Sequence, residues 1–209
     1  MNIKFISGVM RTGKTAELIS IYLKELSKNK VCFSLKPLHD TRDIGIVKSR
    51  VLEQTLPAFN LDSNDEIHIR TFFNIILTNK IDILFIDEVQ FFNKEFINRL
   101  LDICKILNMN IICSGLVTDF NEKYFESSRY LLDNSDEFDF HEGFCYKCGK
   151  RNAEWNILLD KNNVRIIRQD NNENNSIVPE DVLKTLHYET VCDMCIDSYD
   201  TSINKVVGN

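Results

Sequence analysis

The residues Gly8 to Thr15 read GVMRTGKT, which fits the pattern G-x-x-x-x-G-K-[ST] of a phosphate-binding loop. Gly8 and Gly13 let the backbone curl so that successive amide hydrogens point at phosphate oxygens. Lys14 would reach the β and γ phosphates, and the Thr15 hydroxyl is suited to bind magnesium. The segment therefore predicts binding of a nucleoside triphosphate with magnesium. The predicted nucleotide-binding residues of this loop are Gly8, Val9, Met10, Arg11, Thr12, Gly13, Lys14 and Thr15.

Two carboxylates stand at the end of an apolar run, in the segment ILFIDE that closes with Asp87 and Glu88. Ligand crevices in open α/β sheets lie at the carboxyl ends of strands, which places strand-end acids near a phosphate loop. We assign Asp87 to the magnesium ion and Glu88 to the substrate, from which it would accept a proton in a transfer reaction. The alternative is that both acids only cap the next helix, since negative charge is favourable at a helix N-terminus.

Four cysteines form two C-x-x-C pairs, Cys145 with Cys148 and Cys192 with Cys195. This spacing suits a tetrahedral zinc ion, and four thiolates leave no coordination position open for water. Such a zinc ion would be structural and would stabilise a small lobe that has little hydrophobic core. The alternatives are four unrelated free cysteines or a redox-active dithiol.

The elements that must position these residues alternate between apolar runs and segments of helical period from Lys4 to Leu116. This alternation is typical of an α/β fold with a mainly parallel sheet flanked by helices. The run Ile81 to Ile86 is nearly all apolar, as expected of a central strand that is covered on both faces. A helical apolar stripe follows it and predicts packing against the sheet. Its members are Phe92, Phe96, Leu100, Cys104 and Leu107.

The character of the sequence changes at about Phe140, where short segments and paired cysteines replace the α/β alternation. We predict a recombinase-like P-loop domain over residues 1–139 and a small zinc-binding domain over residues 140–209. The asparagine-rich stretch Gln169 to Ser176 lacks apolar residues that could offset the entropy of ordering. It is therefore predicted to be a mobile loop.

The composition is that of an ordinary globular protein, with 44% hydrophobic and 27% charged residues. No apolar run approaches the roughly 20 residues needed to cross a bilayer, and the residues after Met1 do not resemble a secretory signal. The formal net charge of -6 opposes binding to a nucleic acid backbone. We therefore expect a cytoplasmic protein that acts on small phosphorylated ligands and binds neither membranes nor nucleic acid.

Taken in order, six segments resemble the cellular-type, zinc-containing thymidine kinase family, and the match spans nearly the whole chain. The segments are GVMRTGKTAELI from Gly8, KPLHDTR from Lys36, IDEVQFF from Ile86, GLVTDF from Gly115, CYKCG from Cys145 and YETVCDMC from Tyr188. Their order and spacing are more specific than the phosphate loop alone, which occurs in many unrelated enzymes. The resemblance implies ATP-dependent phosphorylation of the thymidine 5′-hydroxyl, in salvage for DNA synthesis. It also implies Mg²⁺, a structural Zn²⁺ and a homotetramer.

The same resemblance implies roles for individual residues. It makes Glu88 the catalytic base that removes the proton from the sugar 5′-hydroxyl, and it places Arg42, Asp87, Val89 and Gln90 close to the nucleotide. It implies that the zinc-anchored segment folds over the nucleoside as a lasso, which would exclude water from the reaction. The residues that it places around the nucleoside are Met10, Phe91, Leu116, Phe120, Phe125 and Tyr188.

The departures from the family pattern fall on the nucleoside side. Val117, Trp155 and Ile157 stand where an aspartate, a threonine and an arginine are usual. One alternative is therefore a thymidine kinase-like protein with altered nucleoside specificity. A second is a P-loop ATPase in which Glu88 orients water and the zinc lobe binds a partner. A third is a regulatory protein that binds nucleotide and zinc without turnover.

Overall fold

The computed structural model describes residues 1–38, 44–49, 53–167 and 185–203. They form two compact units, each of which combines segments that are separate along the chain. The first unit comprises the described residues of Met1–Ser7, Gly13–Leu116 and Glu126–His141, and the second those of Gly8–Thr12, Val117–Phe125 and Glu142 onward. The predicted domain boundary between residues 139 and 140 stays a prediction. The predicted mobile loop at Gln169 to Ser176 lies outside the described residues, as does Arg42.

The first unit is built on a six-stranded sheet with the strand order β5-β2-β6-β7-β1-β8. The pairs β5 with β2, β2 with β6, β6 with β7 and β7 with β1 are all parallel. The predicted α/β class with a mainly parallel sheet is thereby confirmed. The strands and helices of this unit are β1 (Ile3–Gly8), α1 (Lys14–Ser27), β2 (Cys32–Pro37), β3 (Ile46–Lys48), β4 (Thr55–Pro57), β5 (Phe59–Leu61), α2 (Glu66–Thr78), β6 (Ile83–Ile86), a 3₁₀ helix (Val89–Phe91), α3 (Lys94–Leu107), β7 (Asn110–Ser114), α4 (Glu126–Asn134) and β8 (Glu137–His141).

The register of the parallel strands brings their carboxyl ends to one edge of the sheet. Ile86 of β6 lies opposite Leu35 of β2 on one side and Cys113 of β7 on the other. Asp87 follows the last residue of β6, and Ser114 is the last residue of β7. The two residues therefore meet at that edge. All four residues of β6 are buried, as the apolar run predicted.

Helix α3 buries most of the predicted apolar stripe. Phe96, Leu100 and Cys104 are at most 1% exposed, and Phe92 is buried just before the helix. Leu107 is the exception, because it is the last residue of the helix and its side chain is 36% exposed. The Asn93 side chain begins the helix by accepting a hydrogen bond from the Phe96 amide at 2.7 Å.

The second unit is a small β structure. Its four-stranded sheet has the order β13-β11-β12-β14, in which β11 pairs antiparallel with β12 and β13, and a second pair joins β9 to β10. Its elements are β9 (Gly143–Phe144), β10 (Arg151–Ala153), β11 (Trp155–Asp160), β12 (Arg165–Ile167), β13 (Leu186–Val191), α5 (Asp193–Ile196) and β14 (Thr201–Ile203).

The core of the second unit includes residues from both ends of the chain. Val9 is 1% exposed and belongs to the same buried cluster as Cys145, Ile157 and Cys192. Residues Gly8–Thr12 of the predicted phosphate-binding segment are thus part of this unit. Across the described part of the chain, no helix has both the length and the apolar character that a membrane span requires.

Candidate active site and metal centre

The phosphate-binding segment follows β1 directly and ends in the first turn of α1. Gly8 (φ 143°) and Gly13 (φ 86°) have positive φ angles, which side chains adopt only at a cost, and Arg11 (φ 63°) lies in the left-handed region as well. The Thr12 hydroxyl donates a hydrogen bond to the Val9 carbonyl at 2.8 Å and closes the turn between them. The backbone therefore has the tight curl that a phosphate-binding loop needs.

Helix α1 begins at Lys14, with Gly13 as the residue before it. Because glycine has no side chain, no side-chain hydrogen bond from Gly13 caps the start of α1. Burial lowers the pKa of the Lys14 ammonium, whereas the negative charges of Glu88 and Asp87 raise it. The lysine cation and the helix N-terminus both favour binding of an anion at this end of α1.

Asp87 is buried at the carboxyl end of β6, where two hydroxyl groups contact its carboxylate. Ser114, the last residue of β7, donates to Oδ1 at 2.5 Å. The Thr15 hydroxyl lies 3.2 Å from Oδ1 and 3.3 Å from Oδ2. Burial raises the pKa of Asp87 to about 7 and the charge of Glu88 adds to the rise, although the hydrogen bonds from Ser114 and Thr15 oppose it.

Thr15 and Asp87 fit the predicted magnesium site by their chemistry. Hydroxyl and carboxylate oxygens are the hard donors that Mg²⁺ prefers. Their oxygens are already together, 3.2 Å apart, at the start of the helix that follows the phosphate loop. A cation there would also offset the burial that raises the pKa of Asp87.

Glu88 follows Asp87 in an unusual backbone conformation. Its φ angle is 52°, in the left-handed region that few residues other than glycine adopt. It precedes the 3₁₀ helix Val89–Phe91, and the Gln90 side chain amide donates to Glu88 Oε2 at 2.6 Å. Strained residues cluster at functional sites, because the surrounding structure must hold them there. The Glu88 carboxylate is therefore held in a defined position.

Gln90 links the ends of two strands through both ends of its amide. Its oxygen accepts a hydrogen bond from the Leu116 amide at 3.1 Å while its nitrogen donates to Glu88. Gly115 makes this approach possible, because a Cβ atom there would lie 2.5 Å from Gln90 Oε1 and 2.8 Å from Val89 Cγ1. The side chain of Gln90 is 5% exposed. It is a buried bridge between the end of β6 and the residues after β7.

The four predicted zinc ligands come together in the second unit. The Sγ atoms of Cys145, Cys148, Cys192 and Cys195 all lie within 4.8 Å of one another, and those of Cys148 and Cys192 are 3.9 Å apart. Tetrahedral zinc with Zn–S bonds of about 2.3 Å separates its sulfur atoms by roughly 3.8 Å. The four cysteines could therefore hold a zinc ion with little movement.

Backbone amides around the cysteine cluster favour the thiolate form that zinc requires. Burial of the Cys145 thiol opposes ionisation, but backbone hydrogen bonds from Cys148, Cys192 and Lys147 outweigh it and lower the pKa of Cys145 to about 6. Cys145 and Cys192 also belong to the buried cluster of this unit. The candidate metal site is therefore continuous with the core of the second unit.

Residues Val117–Phe125 form a compact loop in the second unit. The Phe125 amide donates to the Val117 carbonyl at 3.0 Å, and the Asp119 carboxylate accepts from the Asn121 and Lys123 amides at 2.8 and 2.9 Å. These bonds give the loop a defined internal structure. Phe125 is half-buried at its end.

Two predicted nucleoside contacts, Phe120 and Tyr188, pack against each other. Their ring centroids are 6.1 Å apart with the rings tilted edge to face, in a cluster with Leu158 and Ile166. Phe120 is only 2% exposed. Its side chain attaches the loop to β11 and β12, so packing accounts for most of its surface.

Trp155 and Asp193 contact each other within the second unit. The indole N–H of Trp155 donates to the Asp193 carboxylate, and the ring packs against the core cluster. Ile157 is fully buried in the same cluster. The side chains that depart from the family pattern at 155 and 157 are therefore packing residues of the zinc-binding unit.

The structure distributes the remaining predicted residues between the units. In the first unit Lys14, Thr15, Asp87 and Glu88 interact with one another, and Val89, Gln90 and Phe91 form the 3₁₀ helix beside them. Leu116 joins them through its amide bond to Gln90. Met10, Phe120 and Tyr188 belong to the second unit.

Two site residues were missed by sequence reasoning. Ser114 contacts Asp87, and Asn156 in β11 accepts a hydrogen bond from the Met10 amide at 2.8 Å. Both are polar residues in otherwise apolar strand segments and both are buried, at 0% and 4% exposure. A buried polar residue needs a hydrogen-bond partner, and this was the available signal.

Comparison with known proteins agrees with the geometry. The family model described as thymidine kinase matches residues 1–196. The chain is 31% identical to a thymidine kinase of Francisella tularensis subsp. holarctica over 192 residues, which cover 90% of this chain and 92% of that protein. It is 31% identical over 165 residues to a thymidine kinase of Zymomonas mobilis, covering 76% and 80% of the two chains.

Proposed function

The chain belongs to the thymidine kinase family, and on that premise we propose that it is an ATP-dependent phosphotransferase that phosphorylates the 5′-hydroxyl of thymidine. The observation that carries the proposal is the group formed by Thr15, Asp87 and Glu88. A buried carboxylate that contacts the first turn of α1 stands next to a second carboxylate that Gln90 holds in position. This is the arrangement that phosphoryl transfer from a magnesium-bound nucleotide requires.

On the nucleotide side, backbone amides of the segment Gly8 to Thr15 bind the phosphates of ATP, except that of Met10, which donates to Asn156. Lys14 contacts the β and γ phosphates. Thr15 and Asp87 would hold Mg²⁺, which would supply positive charge to neutralise the transferring phosphoryl group. We place Arg42, Val89 and Gln90 near the nucleotide as well. The partly desolvated ammonium of Lys14 supports this assignment, because a buried cation stabilises phosphate charge more strongly than an exposed one.

Glu88 acts as the general base. Its carboxylate takes the proton from the thymidine 5′-hydroxyl as that oxygen forms a bond to the γ phosphorus. The bond from the γ phosphorus to the β–γ bridging oxygen breaks, and ADP and thymidine monophosphate are the products. The hydrogen bond from Gln90 and the left-handed backbone at Glu88 support this role, because both restrict where the carboxylate can lie.

The nucleoside is bound by Met10, Phe91, Leu116, Phe120, Phe125 and Tyr188. In this proposal the deeply buried Phe120 shapes the loop Val117–Phe125 on which it stands. Zinc at the four cysteines has a structural role, since four thiolates close its coordination shell. We propose further that the enzyme works in the cytoplasm as a homotetramer. Light scattering would then give about four times the chain mass of 24.4 kDa.

A phosphorylation assay with radiolabelled ATP and each of the four natural deoxynucleosides tests the proposal. Thymidine should be the preferred acceptor in the presence of Mg²⁺. Glu88→Gln should lower kcat by about 10²- to 10⁴-fold and leave ATP binding nearly intact. Glu95→Gln, an exposed glutamate on α3, is the matched control and should keep wild-type turnover.

Each alternative gives a different result in the same assay. ADP release that does not depend on added nucleoside would identify an ATPase. Preference for another deoxynucleoside would overturn the assignment of thymidine as the substrate. The proposed phosphotransferase activity would still stand. Wild-type turnover by Glu88→Gln would remove Glu88 as the base.

A further inference from the structure

The first half of the phosphate-binding segment makes its contacts with the zinc-binding unit. Val9 is 1% exposed and is buried in the cluster that contains the zinc-ligand residues Cys145 and Cys192. A Cβ atom on Gly143 would lie 2.6 Å from Val9 Cγ2, so the backbone of β9 approaches Val9 as closely as its side chain allows. Val9 is therefore held on both sides by the residues that flank the metal site.

The next residue is held through its backbone. The Met10 amide donates a hydrogen bond at 2.8 Å to Asn156 Oδ1, whose side chain is 4% exposed in β11. In a phosphate-binding loop the orientation of each peptide determines where its amide points. Because the Met10 amide is directed to Asn156, the orientation of the peptide before Met10 is determined by β11.

The third contact is electrostatic. The Arg11 guanidinium lies 3.8 Å from the Glu189 carboxylate of β13, with 57% of the arginine side chain exposed. A pair this exposed contributes little to stability. With this pair, three consecutive residues contact other parts of the zinc-binding unit, namely Val9, Met10 and Arg11.

From these contacts we propose that Asn156 is a positioning residue for ATP. By accepting the Met10 amide it orients the loop that binds the triphosphate, and the cysteine cluster supports the same loop through Val9. Zinc occupancy is therefore coupled to nucleotide binding. This inference rests on the proposed function in one respect, namely that the ligand of the loop is ATP with Mg²⁺.

Two variants perturb the loop by independent routes. Asn156→Leu removes the acceptor while keeping a side chain of similar size. Gly143→Ala presses on Val9, because its Cβ atom would lie 2.6 Å from Val9 Cγ2, whereas Thr12 Cγ2 and Thr190 Oγ1 lie farther away at 3.4 and 3.5 Å. Asn162→Leu is the control, because Asn162 is an exposed asparagine of the same unit. Zinc content and thermal stability are measured for every protein, so that a variant that fails to fold is recognised. If one of the two loop variants does not fold, the proposal is tested with the other.

The first readout is amide hydrogen exchange of the full-length, zinc-loaded protein without nucleotide. We expect exchange of the Met10 amide to accelerate at least tenfold in Asn156→Leu, and exchange across Val9 to Thr12 to accelerate in Gly143→Ala. Exchange of Leu158 in β11 should change less than twofold in both, since the effect is local. Unchanged exchange at Met10 in folded Asn156→Leu would overturn the proposal.

The second readout is binding of a non-hydrolysable ATP analogue with Mg²⁺. Asn156→Leu should weaken binding about tenfold, which corresponds to about 1.4 kcal/mol, and Asn162→Leu should not change it. Partial removal of zinc from the wild type should weaken binding in proportion to the zinc lost. Wild-type affinity in both loop variants would overturn the inference. A wild-type protein that binds no analogue would instead contradict the proposed function, and hydrogen exchange would still test the positioning role of Asn156.

Discussion

At the scale of single residues, the site depends on side chains that are buried and yet polar. Asp87, Gln90 and Ser114 are each at most 7% exposed, and each is hydrogen-bonded. Such groups are costly when left without partners, so each one constrains its neighbours. This constraint is clearest at the neighbouring Glu88 carboxylate. The hydrogen bond from Gln90 and the left-handed backbone of Glu88 both limit its movement.

Replacing Gln90 by leucine should lower kcat about tenfold or more. The substitution removes the donor to the Glu88 carboxylate, and a hydrogen bond to a charged group contributes about 1.5 to 3 kcal/mol. Steady-state kinetics of Glu88→Gln, Gln90→Leu and the double variant measure the effect. If Gln90 acts through Glu88, the double variant should be little worse than Glu88→Gln. Losses that simply add would show that Gln90 acts by another route.

Burial of Asp87 should make stability pH-dependent in magnesium-free buffer. The pKa of its carboxyl rises from the unfolded value of 3.8 to about 7. The folded state therefore holds the proton more tightly between these values, and the contribution of Asp87 to stability is lost as the pH rises through 7. Asp87→Asn lacks this dependence.

The stability of Asp87→Asn relative to the wild type should accordingly increase between pH 5 and pH 8, by an amount on the order of 1 to 3 kcal/mol. Urea unfolding of both proteins across this range measures it. Comparing two proteins at each pH cancels the titration of the groups that do not interact with Asp87. A difference that is constant with pH would contradict the assignment.

At the scale of elements, the loop Val117–Phe125 is attached to the sheet of the second unit. Phe120 packs on β11 and β12, and Glu122 pairs with Arg165 of β12 at 2.5 Å. The Arg165 side chain is 6% exposed and that of Glu122 is 42% exposed. Glu122 is also in the left-handed region, with φ 64°. The one residue of this loop with a left-handed backbone, Glu122, is therefore also the residue that pairs with Arg165.

Glu122→Ala should destabilise the protein by roughly 1 to 3 kcal/mol, because it leaves a buried guanidinium without its carboxylate. This is less than for a fully buried pair, since Glu122 is partly in solvent. Combining it with Arg165→Met should recover part of the loss, which denaturant titration of the three variants would measure. Asp133→Ala, which breaks the exposed pair with Arg129, is the control and should change stability by less than about 0.5 kcal/mol.

At the scale of the whole molecule, the four cysteines that could hold a zinc ion lie in the second unit, two of them in its buried core. These two are Cys145 and Cys192. The same cluster contains Val9, and Val9 belongs to the phosphate-binding segment. A structural metal commonly replaces the hydrophobic burial that a unit of this size lacks.

We expect one zinc ion per chain, and Cys148→Ser should lower the zinc content and the stability together. Trp155 is the single tryptophan, and it packs on this core, so its fluorescence reports the unfolding of the second unit. Cys32→Ser is the control and should retain its zinc, because Cys32 lies in β2 of the first unit. A wild-type protein without zinc by elemental analysis would contradict the prediction.

The amino-acid sequence by itself was sufficient for the fold class, the phosphate-binding motif and the two cysteine pairs. These features have local causes. An apolar strand followed by GVMRTGKT and a helix can be recognised within a short window, and the C-x-x-C spacing is a property of the chain alone. The family resemblance then assigned roles to residues that match in order along the chain.

Only the tertiary structure decided which polar residues meet. Ser114 reaches Asp87 because β6 and β7 are parallel neighbours, and Asn156 reaches Met10 across 146 positions of sequence. Neither contact follows from hydrophobic period or propensity, which describe one segment at a time. The burial of Phe120, which is predicted to contact the nucleoside, also follows only from the tertiary structure, because the exposure of an aromatic side chain depends on its neighbours in space. Motifs follow from local sequence, whereas the hydrogen bonds that orient them are made by residues that only the folded chain brings together.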